Sequence, residues 1–424
     1  MAISTEGRTE PPLLAEGARF VLLVPHGAGN PKTGGGQRTR LFFDALKRLG
    51  PVEVILFGNP VPEGQGSFFP GAAAFHVWNS SRFAPPGGHA AKKLRYNIAR
   101  FSSVERAYRA DPDLAGRVRA VLDAGPVVVV SRYLMPFAAS GFSPDDAACE
   151  GLLIDIDDRD DKKFAVAFER LLGSRLTEAL IVPMILRRVE AVMRKRTAGV
   201  SRLWYVSEED LFPGADAPAS LIPNVPFEAP ACAPPPASAA SDVLFVGSQG
   251  HRPNWEGVRH FVATVWPRIR AAVPGVRLRV VGLGPWQDMA SAVPAAALDG
   301  VDLVGTVEDL APEYHRARVV VSPVHEGGGS KIKVVEAAAF ARPVVASRHS
   351  VLGFSPALTK LIVAADADTE MVEGCCRFLE NPAEADRVGA LMRAEQQAHY
   401  ARNVAIQRIC DDVTSAIGQA ITSD

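Results

Sequence analysis

VVVSPVHEGGGSKIKVVEAAAFARPVVAS, running from Val319 to Ser347, decides how the chain is read. Val319, Val320 and Val321 are β-branched and apolar, as in a buried strand. Ser322 and Pro323 end that run, and Gly327, Gly328 and Gly329 follow, then Ser330 and Lys331. From Ile332 the apolar spacing of Val334, Val335, Ala337, Ala338 and Ala339 predicts a helix. Arg342 and Pro343 close it, and Val344, Val345 and Ala346 start another strand. The order is strand, glycine loop, helix, strand.

A helix N-terminus carries free N–H groups and a partial positive charge. Glycines just before it let a ligand approach the backbone, and Lys331 and Lys333 add full charge to the same turn. A diphosphate is the natural occupant. Glu336, three residues beyond Lys333, suits the hydroxyl pair of a sugar. Cations for phosphate beside an acceptor for ribose describe a nucleotide-sugar site. The alternative is a loop that only turns the chain, with solvated lysines.

HEGGGSKIKVVEAAAFARPVVAS resembles the donor-site motif of the retaining GT-B glycosyltransferases called group 1 or family 4. The resemblance implies an α/β fold of GT-B type, two Rossmann-like domains facing across a cleft. The family pairs two glutamates. Glu336 matches the second; Glu326 is the candidate for the first, with a backbone amide of the glycine loop as the alternative. The family's SxxD and IPNGV signatures resemble the stretches from Ser207 and from Ile222, although no glycine follows Asn224.

At 424 residues the chain has room for two domains, and a hydrophobic content of 47% suffices for two cores. A net charge of −1 gives no general attraction to nucleic acid. Cys149, Cys232, Cys375, Cys376 and Cys410 form no CxxC pair or metal-type cluster, so reduced thiols are expected. The first residues lack the layout of a signal peptide, and no apolar run is of membrane-spanning length. A cytoplasmic protein is expected, with peripheral contact at the inner face of the membrane left open. One basic segment, Lys92 to Arg100, fits such contact by resemblance, or a solvated helix face.

Taken in order, residues 1–17 read as a loose tail. Phe20 to Val24 is a strand, Pro25 to Gly36 a glycine-rich loop, Gln37 to Leu49 a helix and Val52 to Phe57 a strand. That is the opening of a doubly wound domain. Asn59 to Gly88 shows little period. Val127 to Val130 is a buried parallel-type strand leading to Arg132. The acidic run Asp155, Asp157 and Asp158 is open to a metal reading of GT-A type. The repeated βαβ pattern of the second half argues against that fold. Glu228 to Ala240 is rich in proline and alanine and reads as a linker. Beyond it, strands from Val243, Val276 and Val301 alternate with helical stretches, of which Val258 to Ala272 is one. Met371 to Ile421 is helical throughout. The expected division is 18–227, linker 228–241, 242–400, and a last helix 401–424 returning to the first domain.

The resemblance implies Glu326, Lys333 and Glu336 as catalytic candidates. Donor contacts are implied at Gly247, Arg252, Thr306, Gly327, Gly328, Gly329, Ser330 and Lys331. Relatives carry an Arg soon after the glycine, where this chain has Ser248; Arg252, in HRPNWEGV, matches a subgroup that keeps RPN. By the same resemblance Gly34, Gly35 and Gly36 would face phosphate or acceptor, with a flexible surface loop as the alternative, and Arg132 would face it too. His325 is the best placed histidine. The implied activity is transfer of a sugar from a nucleoside diphosphate to a glycan or lipid-linked acceptor. No metal or other cofactor is expected. An epimerase, a sugar-phosphate synthase or phosphorylase, and a non-catalytic binder are the alternatives.

Overall fold

The computed structural model describes residues 19–30, 33–58, 64–79, 108–157, 159–161, 175–225, 229–230, 232–326 and 332–421. The chain forms two compact units. The first comprises Met1–Tyr205, Asp210–Ile222 and Ile406–Asp424; the second comprises Val206–Glu209 and Pro223–Ala405.

The first unit is built on a parallel sheet of seven strands. These are β1 (Arg19–Pro25), β2 (Val52–Gly58), β3 (Ala74–Asn79), β4 (Val127–Arg132), β5 (Cys149–Ile156), β6 (Arg202–Tyr205) and β7 (Ala219–Leu221). Their order is β3-β2-β1-β4-β5-β6-β7. Val127–Val130 and Phe20–Val24 are fully buried, as strands covered on both faces must be. Helices α1 (Gly34–Leu49), α2 (Ala115–Asp123), α3 (Leu134–Ser140) and α4 (Arg175–Thr197) belong to this unit. Two expectations need correction. Gly34, Gly35 and Gly36 are the first residues of α1, not the end of a loop, because the Thr33 side chain accepts from Gly36 N–H and caps the helix ahead of them. β3 lies in a stretch read as aperiodic; among the described residues it is an edge strand paired with β2, with His76 and Asn79 exposed.

The second unit holds β8 (Asp242–Val246), β9 (Leu278–Val281), β10 (Val301–Gly305), β11 (Ala317–Ser322), β12 (Val344–Ala346) and β13 (Val363–Ala364), all parallel. Their order is β10-β9-β8-β11-β12-β13, so the winding reverses between β8 and β11. The helices are α5 (Arg252–His260), α6 (Trp266–Ala272), α7 (Ala311–Arg316), α8 (Ile332–Ala339), α9 (Asp368–Glu380) and α10 (Pro382–His399). α5 starts six residues earlier than its apolar period begins, with Pro253 in its first turn, and a π turn at Phe261–Val265 joins it to α6.

The last helix, α11 (Arg402–Ile421), clusters with the first unit from Ile406 on. Ile409 and Val413 are buried there, and Trp204 Nε1 donates to Asp412 Oδ2 at 2.8 Å.

The proline-rich stretch read as a linker is bonded to the second unit. Arg342 Nη2 donates to the Pro235 carbonyl (2.9 Å), Arg393 Nη2 to that of Cys232 (3.2 Å), and Ser238 N–H to Asp386 Oδ1 (2.8 Å). Proline has no N–H, so its carbonyl is all it offers, and arginines reach it. The boundary between the units falls at Ile222 and Pro223 instead.

Candidate functional site

In an open parallel sheet, the helices that follow the two strands at the reversal leave from opposite faces. They open a crevice beyond the C-terminal strand ends. In the second unit those strands are β8 and β11, and the helices are α5 and α8. The pair singled out in the sequence, Lys333 and Glu336, lies near the start of α8.

Lys333 Nζ donates to Asn254 Oδ1 at 2.7 Å and stands 4.3 Å from the centre of the Phe245 ring. One ammonium therefore joins α8 to α5, two residues past Arg252, and to β8, two residues before Gly247. Asn254 is itself only 7% exposed, and its Nδ2 donates to the Ser248 carbonyl at 2.9 Å. Arg252 opens α5 and is exposed; His251, at the cap position, is exposed too.

Glu336 is 7% exposed, and Tyr314 Oη on α7 donates to its Oε2 at 2.8 Å. The Tyr314 ring stacks on Phe340, centroids 4.5 Å apart and planes within 4°. Burial, then the charge of Glu336, pushes the phenol pKa well above its ordinary value, so it stays a proton donor.

Gly247 owes its small size to crowding. A Cβ there would lie 2.8 Å from Asn254 Nδ2, and its carbonyl accepts from Trp286 Nε1 at 3.1 Å. Gly282 has φ +137°, and a Cβ on it would meet the Gly247 oxygen at 2.0 Å. Gly282 N–H in turn bonds the Gly305 carbonyl, 2.8 Å away, immediately before the exposed Thr306. Glu326 is exposed. Three residues before His325, β11 ends at Ser322 in a buried hydroxyl cluster. Ser347 and Ser350 both donate to the Val324 carbonyl, and Ser322 donates to Ser350 at 3.0 Å. Gly327, Gly328, Gly329, Ser330 and Lys331 lie outside the described residues, as do Lys92–Arg100 and Asp158.

The other candidates belong to the first unit, where the winding reverses between β1 and β4. The Arg132 side chain has no exposure there. It is ion-paired with Asp155, and its Nη2 lies 3.2 Å from Asp157 Oδ2. Arg38, equally buried, donates to both oxygens of Asp155 through Nε. Two arginines and two aspartates neutralise one another, so the acidic run of β5 is committed to guanidinium groups. Among the described residues no group of three or more His, Cys, Asp or Glu could hold a metal ion. Tyr133 Oη donates to Asp157 Oδ2 at 3.0 Å, and a Cβ on Gly35 would lie 3.3 Å from that phenol oxygen. The glycine of α1 thus makes room for a tyrosine.

Sequence reasoning missed Asn254 and Tyr314. Asn254 stood in the RPN stretch with only Arg252 marked. Tyr314 gave no signal, because its carboxylate partner lies 22 positions away.

Residues 240–381 match the family described as "Glycosyl transferases group 1". No curated protein sequence matches the chain. Among solved structures, a sucrose-phosphate synthase from Thermosynechococcus elongatus is similar, with 17% identity, TM-score 0.64, and 96% of this chain and 100% of that one covered. Anabaena HepE in complex with UDP and glucose has 12% identity and TM-score 0.59, over 94% and 99%. A trehalose-6-phosphate structure from E. coli, bound with UDP-2-fluoro glucose, has 13% identity and TM-score 0.57, over 93% and 99%. These likenesses show the fold, which is GT-B with two Rossmann-like domains. No helix among the described residues is long and apolar enough to cross a membrane.

Proposed function

We propose that this chain, a GT-B protein whose second unit is a group 1 glycosyl transferase domain, moves a sugar from a nucleoside diphosphate to a hydroxyl of a glycan or lipid-linked acceptor. The observation that carries the reading is the placing of Lys333 and Glu336 near the start of α8, at the reversal of the second sheet. Lys333 is tied there to the β8–α5 segment through Asn254. A cation at that crevice suits a diphosphate, and a carboxylate one turn on suits a ribose.

In this reading the bond between the anomeric carbon and the phosphate oxygen breaks, and the acceptor oxygen bonds to that carbon. Negative charge grows on the leaving diphosphate. Lys333 and the dipole of α8 stabilise it where it develops. The leaving phosphate takes the acceptor's proton, so no side-chain base is assigned. Retention of configuration is part of the proposal, as are work at the inner face of a membrane and a role in surface polysaccharide or glycoconjugate synthesis. That no metal takes part is also part of the proposal; Asp155 and Asp157 are paired with Arg38 and Arg132. Lys331 and the loop glycines would add to the phosphate contacts.

The test is to incubate the purified chain with UDP-, GDP- and ADP-sugars and measure free nucleotide, with and without hydroxyl acceptors. One donor class should be turned over, faster with acceptor, giving a glycosylated product. An epimerised donor or absence of turnover would contradict the reading.

A further inference from the structure

Lys333 and Glu336 are one helical turn apart on α8, yet each is gripped from a different helix. Asn254 reaches Lys333 from α5 across 79 positions, and Tyr314 reaches Glu336 from α7 across 22. We propose that Asn254 and Tyr314 are positioning residues of the nucleotide site. The amide aims the Lys333 ammonium at the diphosphate, and the phenol aims the Glu336 carboxylate at the ribose hydroxyls. This rests on the donor-site reading above.

A buried phenol needs an acceptor, but a neutral amide or a carbonyl would serve. A carboxylate at 7% exposure costs desolvation, and the tyrosine's hydrogen bond offsets part of it. The phenol has little freedom to choose another partner. Its ring is stacked flat on Phe340, and its backbone carbonyl accepts from Arg342 Nε at 2.7 Å.

Asn254 is fixed by the opposed roles of its two amide ends. Oδ1 accepts from Lys333 while Nδ2 donates to Ser248 O, so a flip would lose both bonds. This acceptor is neutral, and it orients the ammonium without cancelling its charge. Two glycines keep the amide in reach. A Cβ on Gly247 would press on Asn254 Nδ2 at 2.8 Å, and one on Gly257, in the next turn of α5, would strike the Pro323 carbonyl at 2.1 Å.

The experiment is titration calorimetry of the full chain with UDP, GDP and ADP, followed by variants with whichever nucleotide binds. Asn254→Ala and Tyr314→Phe should each weaken binding roughly tenfold. Asn254→Asp keeps an acceptor but supplies a negative charge, and should weaken binding at least as much as Asn254→Ala. Asn254→Ala should add less than about twofold in a Lys333→Ala background, and Tyr314→Phe likewise in Glu336→Ala. Equal factors in both backgrounds, or Asn254→Asp binding like wild type, would mean the two residues are structural only and would overturn the inference. Wild type binding none of the three nucleotides would instead overturn the donor-site reading on which it rests. Tyr314→Phe keeps the ring and its stacking, so loss of fold does not confuse the result.

Discussion

In the proposed site Lys333 supplies positive charge and Glu336 a carboxylate, while other residues bury the main face of α8. The apolar residues Val334, Val335, Ala337 and Ala338, all fully buried, do that. Lys333→Ala and Glu336→Ala should therefore lower transfer by roughly a hundredfold or more. Thermal melting should shift by only a few degrees, as calorimetry would check. The aspartate at the centre of the first unit behaves in the opposite way. Asp155 is fully buried between Arg38 and Arg132, and Asp155→Ala leaves two guanidinium groups without their main counter-charge. The expected loss is about 3–5 kcal/mol of stability, read from urea unfolding. Lys333 and Glu336 could be marked as candidates from sequence because their pattern is local, within one turn of one helix. Arg132 could not be placed, because a strand end tells nothing of Asp155 and Asp157 on the next strand or Arg38 on α1. Asn254 stayed hidden for the same reason: its partner is far along the chain.

At the scale of elements, what the sequence showed best was buried parallel strands. FVLLV, VVVV and VLFV are continuous apolar runs that only a sheet covered on both faces can use. Edge strands and helix starts were harder. β3 is not apolar enough to stand out, and α1 begins with three glycines because a threonine cap outweighs their poor propensity. The contacts of the proline-rich stretch were not legible, because composition reports what a segment cannot bury, not which arginines elsewhere reach its carbonyls. Packing is tight where α5 meets the end of β11, with a Cβ on Gly257 reaching 2.1 Å from the Pro323 carbonyl. Gly257→Ala should push that helix away from Pro323, costing about 1–3 kcal/mol and weakening nucleotide binding. Gly116→Ala, on an exposed turn of α2 where a Cβ meets nothing within 4 Å, should stabilise the protein by about 0.5 kcal/mol. Paired melting curves would show the opposite signs.

For the whole molecule, two doubly wound sheets were legible from the repeated strand–helix order. The division of the chain between the units involves contacts no local pattern encodes. α11 is the clearest case, its return to the first unit being expected only from the family resemblance. It follows the second unit in sequence, yet Asp412 on it accepts from Trp204 and Ser220 of the first. Stability should also respond to alkali. Burial raises Cys149 from 9.0 to about 11 and Tyr205 from 10.0 to about 12, and it raises Cys375 and Tyr314 as well. Each favours the protonated form in the folded chain. Its contribution is complete below the unfolded value and is lost as pH rises towards the folded one. Unfolding midpoints should therefore fall from about pH 9 upward, the thiols acting first and the phenols from about pH 10. A flat profile between pH 8 and 11 would contradict that burial.

The central claim is that the start of α8 receives the diphosphate of a nucleotide. A crystal structure of the chain with whichever of UDP, GDP or ADP it binds tests this most directly. The diphosphate should lie against the first turn of α8, within hydrogen-bond reach of Lys333 Nζ, with a ribose hydroxyl on Glu336. Nucleotide ordered anywhere else, with Lys333 still on Asn254 and that turn unvisited, would contradict it.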